Sequence, residues 1–222
     1  MEQHILTMGN YRLACQLPQQ AVRQLVYFHS PVDDLTPPGD LLEQAGAAFL
    51  CITGEDWNAD LTPWPAERVF AKGGDFGGRA DRYLRVLTEE LLPFAEHSLH
   101  AEGLPRTLAG VSLSGLFAVY AAHRTDAFHR ICSVSGSLWY DGFLDFMVQN
   151  PVSPAVRRVY LSVGSREKNA KNPRMRRVED CTLRAAGRLR QQDVDTRMEI
   201  NPGGHYADGA ERLRKGLTNI LA

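Results

Sequence analysis

Ser112 lies in the part of the chain whose residue types best fit nucleophilic chemistry. The sequence Gly110-Val-Ser112-Leu-Ser114 joins a predicted strand, residues 106–111, to a predicted helix, residues 114–123. Such a strand–turn–helix presents the serine hydroxyl on a tight turn and needs small residues two positions before and after it. Gly110 meets this need, and Ser114 replaces the more usual second glycine. The alternative is that Ser112 only caps the helix.

A serine hydroxyl becomes an effective nucleophile when a base, itself held by an acid, removes its proton. Beyond a serine on such a turn, the acid and then the histidine follow along the chain. Of the histidines after Ser112, His123 and His129 flank the next helix–strand connection, and we expect them on the surface. His205 follows Pro-Gly-Gly between the last predicted strand and the last predicted helix. His205 is therefore the candidate base, with a solvated loop histidine as the alternative.

The candidate acid is Glu167, which follows a predicted strand, residues 158–163, in the sequence Gly-Ser-Arg-Glu. The alternative for any single glutamate is a solvated surface carboxylate. Asp180, Asp193 and Asp195 lie within a predicted helix or before a predicted strand, at the wrong ends of these elements. The candidate serine, acid and histidine lie at corresponding ends of successive structural units, in the expected order. This ordered set is a more specific signal than any one of the three residues.

An acyl-transfer intermediate carries an oxyanion that two backbone N–H groups usually hold. One comes from the residue after the nucleophile, here Leu113, and the other from the loop after an early strand. That strand is predicted over residues 25–29, which makes Ser30 the candidate for the second donor. Pro31 has no N–H to donate, so Val32 is the alternative to Ser30 as the second donor.

The elements that must position these residues follow from hydrophobic periodicity. A hairpin is predicted from residues 5–8 and 11–17, joined by Gly9-Asn10. Apolar runs then alternate with amphipathic stretches. The predicted strands are 25–29, 48–53, 106–111, 130–134, 158–163 and 196–200; the predicted helices are 40–45, 79–99, 114–123, 141–148, 174–191 and 207–221, with a long loop over 54–78. We expect a three-layer α/β/α sandwich with a mostly parallel sheet, in one domain, 1–222, without a separate lid domain.

Composition narrows the class of protein. The 222 residues carry 25 Lys+Arg and 26 Asp+Glu, a net charge of −1, so we expect no nucleic-acid partner. The longest apolar runs, such as 45–52, are far below the ~20 residues that span a bilayer, and no secretory signal is visible. The four cysteines lie far apart, which favours buried thiols in the cytoplasm. Metal-ligand spacing is absent, and we expect neither a metal nor another cofactor.

Several stretches together resemble a known family. Residues 107–120, Thr-Leu-Ala-Gly-Val-Ser-Leu-Ser-Gly-Leu-Phe-Ala-Val-Tyr, are similar to the nucleophile elbow of enterochelin-esterase-like and esterase D-like α/β-hydrolases. Further similar stretches are Asp-Leu-Thr-Pro-Trp-Pro at 60–65, residues 128–140, Gly-Ser-Arg-Glu at 164–167 and Gly-Gly-His at 203–205. The ordered set covers roughly residues 25–222.

The resemblance implies an α/β-hydrolase fold and a serine esterase in which Ser112 is the nucleophile, Glu167 the acid and His205 the base. The implied substrate is a small-molecule ester, with siderophore-type esters included. Two alternatives stay open: an acyltransferase that uses the same three residues, and a non-catalytic α/β-hydrolase-like binding module. The oligomeric state stays open as well.

Aromatic residues in the predicted loops are candidates for a substrate pocket. Trp57, Trp139 and Tyr206 lie in or beside the loops that follow the strands. Trp64 shares the long loop with Trp57, and for these two the alternative is that they anchor the loop to the body of the protein.

Overall fold

An eight-stranded sheet lies at the centre of the computed structural model, which describes residues 1–30 and 38–222. Its strands are β1 (Glu2–Met8), β2 (Tyr11–Leu17), β3 (Gln24–His29), β4 (Ala47–Thr53), β7 (Arg106–Val111), β8 (Arg130–Val134), β9 (Arg158–Gly164) and β10 (Asp195–Asn201). A separate pair is formed by β5 (Pro65–Ala66) and β6 (Phe76–Gly77). The order of the large sheet is β1-β2-β4-β3-β7-β8-β9-β10. β2 pairs antiparallel with β1 and β4, and all other neighbours are parallel.

Helices cover both faces of this sheet. They are α1 (Gly39–Ala45), α2 (Trp57–Asp60), α3 (Ala80–Val86), α4 (Leu92–Leu99), α5 (Leu113–Ala121), α6 (Phe143–Gln149), α7 (Val178–Arg190) and α8 (Gly209–Leu221). Successive strand residues alternate between two buried clusters: Leu25 and Tyr27 pack with α3, α5 and α7, whereas Val26 and Phe28 pack with α1 and α8. Because a strand buried on both faces must be apolar throughout, this explains the uninterrupted apolar runs. The predicted three-layer sandwich with its N-terminal hairpin is confirmed.

Three local features differ from the prediction. The predicted helix 79–99 contains a π-helical turn, Leu87–Leu91, between α3 and α4. Pro93 accounts for it, because proline has no N–H to donate and its ring crowds the carbonyl four residues earlier. The predicted loop 54–78 contains α2, whose first turn Asp56 caps by accepting a hydrogen bond from the Ala59 N–H at 3.2 Å. The helix predicted over 174–191 begins as a 3₁₀ turn, Met175–Arg177, before α7.

Four parallel strands, β3, β7, β9 and β10, bring the candidate site residues to one edge of the sheet. Carboxyl ends of parallel strands lie on the same side. Ser30 follows β3, Ser112 follows β7, Glu167 comes three residues after β9 and His205 four residues after β10. Among residues 1–30 and 38–222, no helix is long and apolar enough to cross a membrane.

Candidate active site

Ser112 lies on a sharp turn between β7 and α5. Its backbone is in an unusual conformation, with φ 61° and ψ −120°, which non-glycine residues adopt rarely and at an energetic cost. The preceding Gly110 allows it, since a Cβ on Gly110 would lie 2.3 Å from the Ser114 carbonyl oxygen. The Ser112 hydroxyl makes no capping hydrogen bond to α5. The structure therefore does not support the alternative that the Ser112 side chain only caps the helix.

Ser114, which replaces the usual second glycine of the turn, is fully buried and closes the turn instead of distorting it. Its hydroxyl donates to the Val111 carbonyl oxygen and accepts from the Val111 N–H, both at 2.8 Å. The serine thereby satisfies both backbone polar groups of the last β7 residue.

His205 links Ser112 to Glu167. Its Nε2 is 3.1 Å from Ser112 Oγ, and its Nδ1 is 2.7 Å from Glu167 Oε2. The turn before it depends on Gly203, which has φ 95° and whose Cβ would lie 2.6 Å from the Ala207 Cβ. The three residues expected to act together thus form one hydrogen-bonded chain.

Glu167 is buried, and several donors hold its carboxylate. Oε1 accepts from the Ser135 hydroxyl at 2.7 Å, from the Gly164 N–H at 2.6 Å and from Arg212 Nη1 at 3.3 Å. Burial raises the pKa of the Glu167 carboxyl, but hydrogen bonds with His205, Ser135 and Gly164 outweigh this effect, and the net pKa lies below its ordinary value. Glu167 is therefore ionised at neutral pH.

The ionised carboxylate determines the histidine tautomer. A carboxylate can only accept, so the hydrogen on the His205 ring lies on Nδ1 and is donated to Glu167. The neutral ring then leaves the Nε2 lone pair to accept from the Ser112 hydroxyl. This arrangement can take a proton from Ser112 and hold it on His205.

The predicted oxyanion donors have different environments. Leu113 is the first residue of α5, and the first N–H groups of a helix have no partner within the helix. The Ser30 N–H, in contrast, already donates to the Ile52 carbonyl oxygen at 3.3 Å. This N–H is engaged in extending the β3–β4 pairing, which conflicts with its expected role. The alternative donor, Val32, lies outside the described residues.

A cavity of about 560 Å³ opens beside Ser112. Trp57, Trp139 and Tyr206, the three predicted pocket residues, all line it. Other lining residues share an apolar character and come from the β5–β6 loop, from β6 and from the segment before α7: Val69, Phe70, Phe76 and Met175. Trp64 lies elsewhere, where it packs on Tyr140 and donates from Nε1 to the Asp141 carbonyl oxygen at 2.9 Å. Trp57 therefore belongs to the cavity, and Trp64 anchors the long loop.

The other histidines after Ser112 are away from the cavity. His123 is buried, contrary to the expectation of a surface position, because its ring packs edge-on against Phe146. Its Nδ1 donates to the Asn150 carbonyl oxygen at 2.8 Å, and burial lowers its pKa. His129, half-buried, accepts at Nδ1 from the Arg106 N–H.

Two residues that bond to the Glu167 carboxylate, Ser135 and Arg212, were not identified from the sequence. Ser135 follows β8 with φ 48°, and its place at a strand end was an available signal. Arg212 shares a helix face with Gly216 and Ile220, at a spacing of four residues, where a charged side chain departs from the apolar pattern. Both contacts are long-range, which is why periodicity alone did not reveal them.

Comparison with solved structures supports the same fold. The IroE-like serine hydrolase from Shewanella oneidensis has a TM-score of 0.78 and 18% identity, over 98% of this chain and 78% of that one. The siderophore hydrolase EstA from Aspergillus nidulans has a TM-score of 0.76 and 18% identity, over 100% of this chain and 95% of that one. At this level of identity, the likeness establishes the α/β-hydrolase fold.

Sequence comparison gives the family. The chain is 30% identical to the Bacillus subtilis (strain 168) protein YbbA, itself described as uncharacterized, over 136 residues. That alignment covers 60% of this chain and 54% of YbbA, so it spans about half the length of this relative. Residues 9–209 match the Esterase family, described as "Putative esterase". Since the match covers most of the chain and agrees with the resemblance found in the sequence, the chain belongs to the Esterase family.

Proposed function

We propose that the chain is a serine-dependent carboxylic ester hydrolase that works through an acyl-enzyme intermediate. The observation that carries this proposal is the hydrogen-bonded chain Ser112–His205–Glu167, which opens onto a largely apolar cavity. Membership of the Esterase family supports the same reaction. We take the whole chain, 1–222, to act as one domain, and the cytoplasmic location remains a prediction.

In the first half of the reaction, the Ser112 hydroxyl attacks the ester carbonyl carbon while His205 Nε2 takes its proton. Glu167 holds the ring and stabilises the imidazolium that forms. The carbonyl oxygen becomes an oxyanion near the Leu113 N–H, at the positive end of α5. The intermediate then expels the alcohol, which receives the proton from His205, and the acyl group stays on Ser112.

In the second half, water replaces the alcohol. His205 takes a proton from water, the resulting hydroxide adds to the acyl carbon, and the Ser112 oxygen leaves with the proton from His205. The products are a carboxylic acid and the free enzyme. An acyltransferase would differ only in the acceptor, and titration with added alcohols separates the two reactions by the product formed.

The cavity favours small esters that carry an apolar or aromatic group. Trp57, Trp139 and Phe76 form an aromatic wall near Ser112, and such side chains bind flat apolar groups. One solved structural neighbour is named a siderophore hydrolase, so siderophore-type esters belong in the first substrate screen beside short aryl esters.

The proposal is tested by intact-mass labelling with a fluorophosphonate. Wild type should gain one adduct, Ser112→Ala should gain none, and Ser98→Ala should label like wild type, because Ser98 is exposed on α4. Ser112→Ala should also lower kcat for an aryl ester by several orders of magnitude with unchanged circular dichroism. Labelling of Ser112→Ala, or no adduct on folded wild type, would overturn the proposal and favour a binding module.

A further inference from the structure

Arg212 is a buried charged residue that no step of the proposed reaction uses. It lies on the inner face of α8 and is 2% exposed. Its Nε has no hydrogen-bond partner among the described residues. Burial of a guanidinium costs free energy unless its charge and its N–H groups are compensated. The contacts of the two remaining nitrogens, Nη1 and Nη2, therefore indicate why an arginine occupies this position.

Those two nitrogens connect the acid to the loop that carries the base. Nη1 donates to Glu167 Oε1 at 3.3 Å and to the Ser135 hydroxyl at 3.1 Å. Nη2 donates to the Pro202 carbonyl oxygen at 2.7 Å, three residues before His205. One planar guanidinium thus bonds both to Glu167 and to the segment that carries His205.

The guanidinium fits closely between these two segments. A Cβ on Gly164 would lie 2.8 Å from Arg212 Nη2, and a Cβ on Gly203 would lie 3.3 Å from the same atom. The segments also bond directly, since the Arg166 N–H donates to the Gly203 carbonyl oxygen at 2.9 Å. The guanidinium therefore lies in close contact with both segments.

We propose that Arg212 is a positioning residue that holds Glu167 and the His205 loop in register with Ser112. Oε1 of Glu167 accepts hydrogen bonds from Arg212, Ser135 and Gly164, and these donors hold the carboxylate with Oε2 facing His205. This inference rests on the proposed esterase function, because it assigns Arg212 a role in the same site.

The charged groups around Arg212 and Glu167 make the proposal testable through the pH dependence of kcat/KM. Arg212 reaches Glu167 from α8, whereas Arg166 and Lys168 flank Glu167 on its exposed side, and Lys168 is paired with Glu179 at 3.0 Å. A fixed positive charge beside the carboxylate opposes the gain of a further positive charge in the site. Removal of Arg212 should therefore move the acid limb of kcat/KM to higher pH.

The first test is Arg212→Met, which is similar in length but uncharged. We expect kcat to fall about 10- to 100-fold and the acid limb of kcat/KM to rise by about 0.5 pH unit or more, with circular dichroism unchanged. The matched control is Arg106→Met, which breaks a different ion pair, between the half-buried Arg106 and the buried Glu96 at 2.6 Å, away from the cavity. The control should lower thermal stability but leave kcat and the acid limb as in wild type. If Arg212→Met behaves like the control, the positioning role is wrong.

Arg212→Lys provides a second test if the methionine variant does not fold. A single ammonium keeps the charge but cannot bond to both Glu167 and the Pro202 carbonyl in the planar geometry of a guanidinium. We expect the acid limb to stay within about 0.3 pH unit of wild type while kcat falls about 10-fold. A lysine variant with wild-type kcat would contradict the role.

A double variant checks that Arg212 acts through Glu167. In a Glu167→Gln background, Arg212→Met should lower kcat by less than about 3-fold, because the group it positions is already changed. A loss as large as in the wild-type background would contradict the proposal. Fluorophosphonate labelling of wild type keeps the two hypotheses apart: no adduct refutes the esterase function, whereas an adduct with an unimpaired Arg212→Met enzyme refutes only the role of Arg212.

Discussion

The Ser114 hydroxyl both donates to the Val111 carbonyl oxygen and accepts from the Val111 N–H, each at 2.8 Å, directly beneath the turn that presents Ser112. A side chain therefore satisfies backbone groups that the end of a strand would otherwise leave unpaired. This contact explains how the elbow tolerates a serine where a glycine is usual.

Ser114→Ala should weaken the turn. It leaves the half-buried Val111 polar groups without this partner, so we expect the free energy of unfolding to fall by about 1–2 kcal/mol. Denaturant unfolding measures this value. Ser98→Ala is the control, since its hydroxyl bonds to the Phe94 carbonyl oxygen on an exposed helix surface and should change stability little. Equal stability of the two variants would show that the Ser114 contact contributes nothing.

Glu167→Gln should reduce catalysis far more than stability. The amide can donate to Nδ1 of His205 and so favour the tautomer that carries its proton on Nε2, which cannot accept from Ser112. We expect kcat to fall about 10³- to 10⁴-fold, as when the acid of a serine triad is neutralised. Steady-state kinetics with an aryl ester measures the loss. Glu179→Gln, which breaks the ion pair with Lys168, is the control, and its kcat should stay within about 3-fold of the wild-type value. Similar losses of kcat in both variants would remove Glu167 from the triad.

Glu55 should make the protein less stable as the pH rises. Both of its carboxylate oxygens are buried, and neither has a hydrogen-bond partner within residues 1–30 and 38–222. Burial, with a smaller contribution from the negative charge of Asp60, raises the pKa of Glu55 from 4.5 to about 7. Because the folded state binds this proton more tightly than the unfolded state, stability is lost as pH rises from about 4.5 to 7.

Glu55→Gln removes this penalty. We expect its free energy of unfolding to exceed that of wild type by about 1–2 kcal/mol at pH 8, with a smaller difference at pH 5. Denaturant unfolding at the two pH values measures both differences. The control is Glu89→Gln, at an exposed position of the π-helical turn, which should change the free energy of unfolding equally at both pH values. A Glu55→Gln variant with no gain at pH 8 would mean that the carboxylate finds a partner in solution.

Trp57 and Trp64 should respond differently to truncation, although seven positions separate them in one segment. Trp57→Ala removes part of the cavity wall, so kcat/KM for an aryl ester should fall about 10-fold or more with a smaller change in stability. Trp64→Ala removes a packed ring and a hydrogen bond, so the free energy of unfolding should fall by about 3 kcal/mol. Kinetics and denaturant unfolding on both variants measure these effects. The reverse pattern would exchange their roles.

Periodicity in the sequence was enough to predict the layered fold. Apolar runs such as 25–29 have no polar face, which is the pattern of strands covered on both sides, and the structure contains them as β3 and its neighbours. Helix ends were less predictable. The π-helical turn Leu87–Leu91 depends on a single proline inside a pattern that otherwise continues as one helix.

Chain order was also enough to nominate Ser112, Glu167 and His205, because parallel strands bring their carboxyl ends to one edge whatever the details of packing. Their alignment to within hydrogen-bond distance is a property of the tertiary structure alone. The same holds for Arg212 and Ser135, whose contacts with Glu167 cross 45 and 32 residues of chain. Local sequence determines which face a residue occupies, but long-range packing decides which polar groups meet there, and so the tertiary structure revealed the support of the carboxylate and the engaged N–H of Ser30.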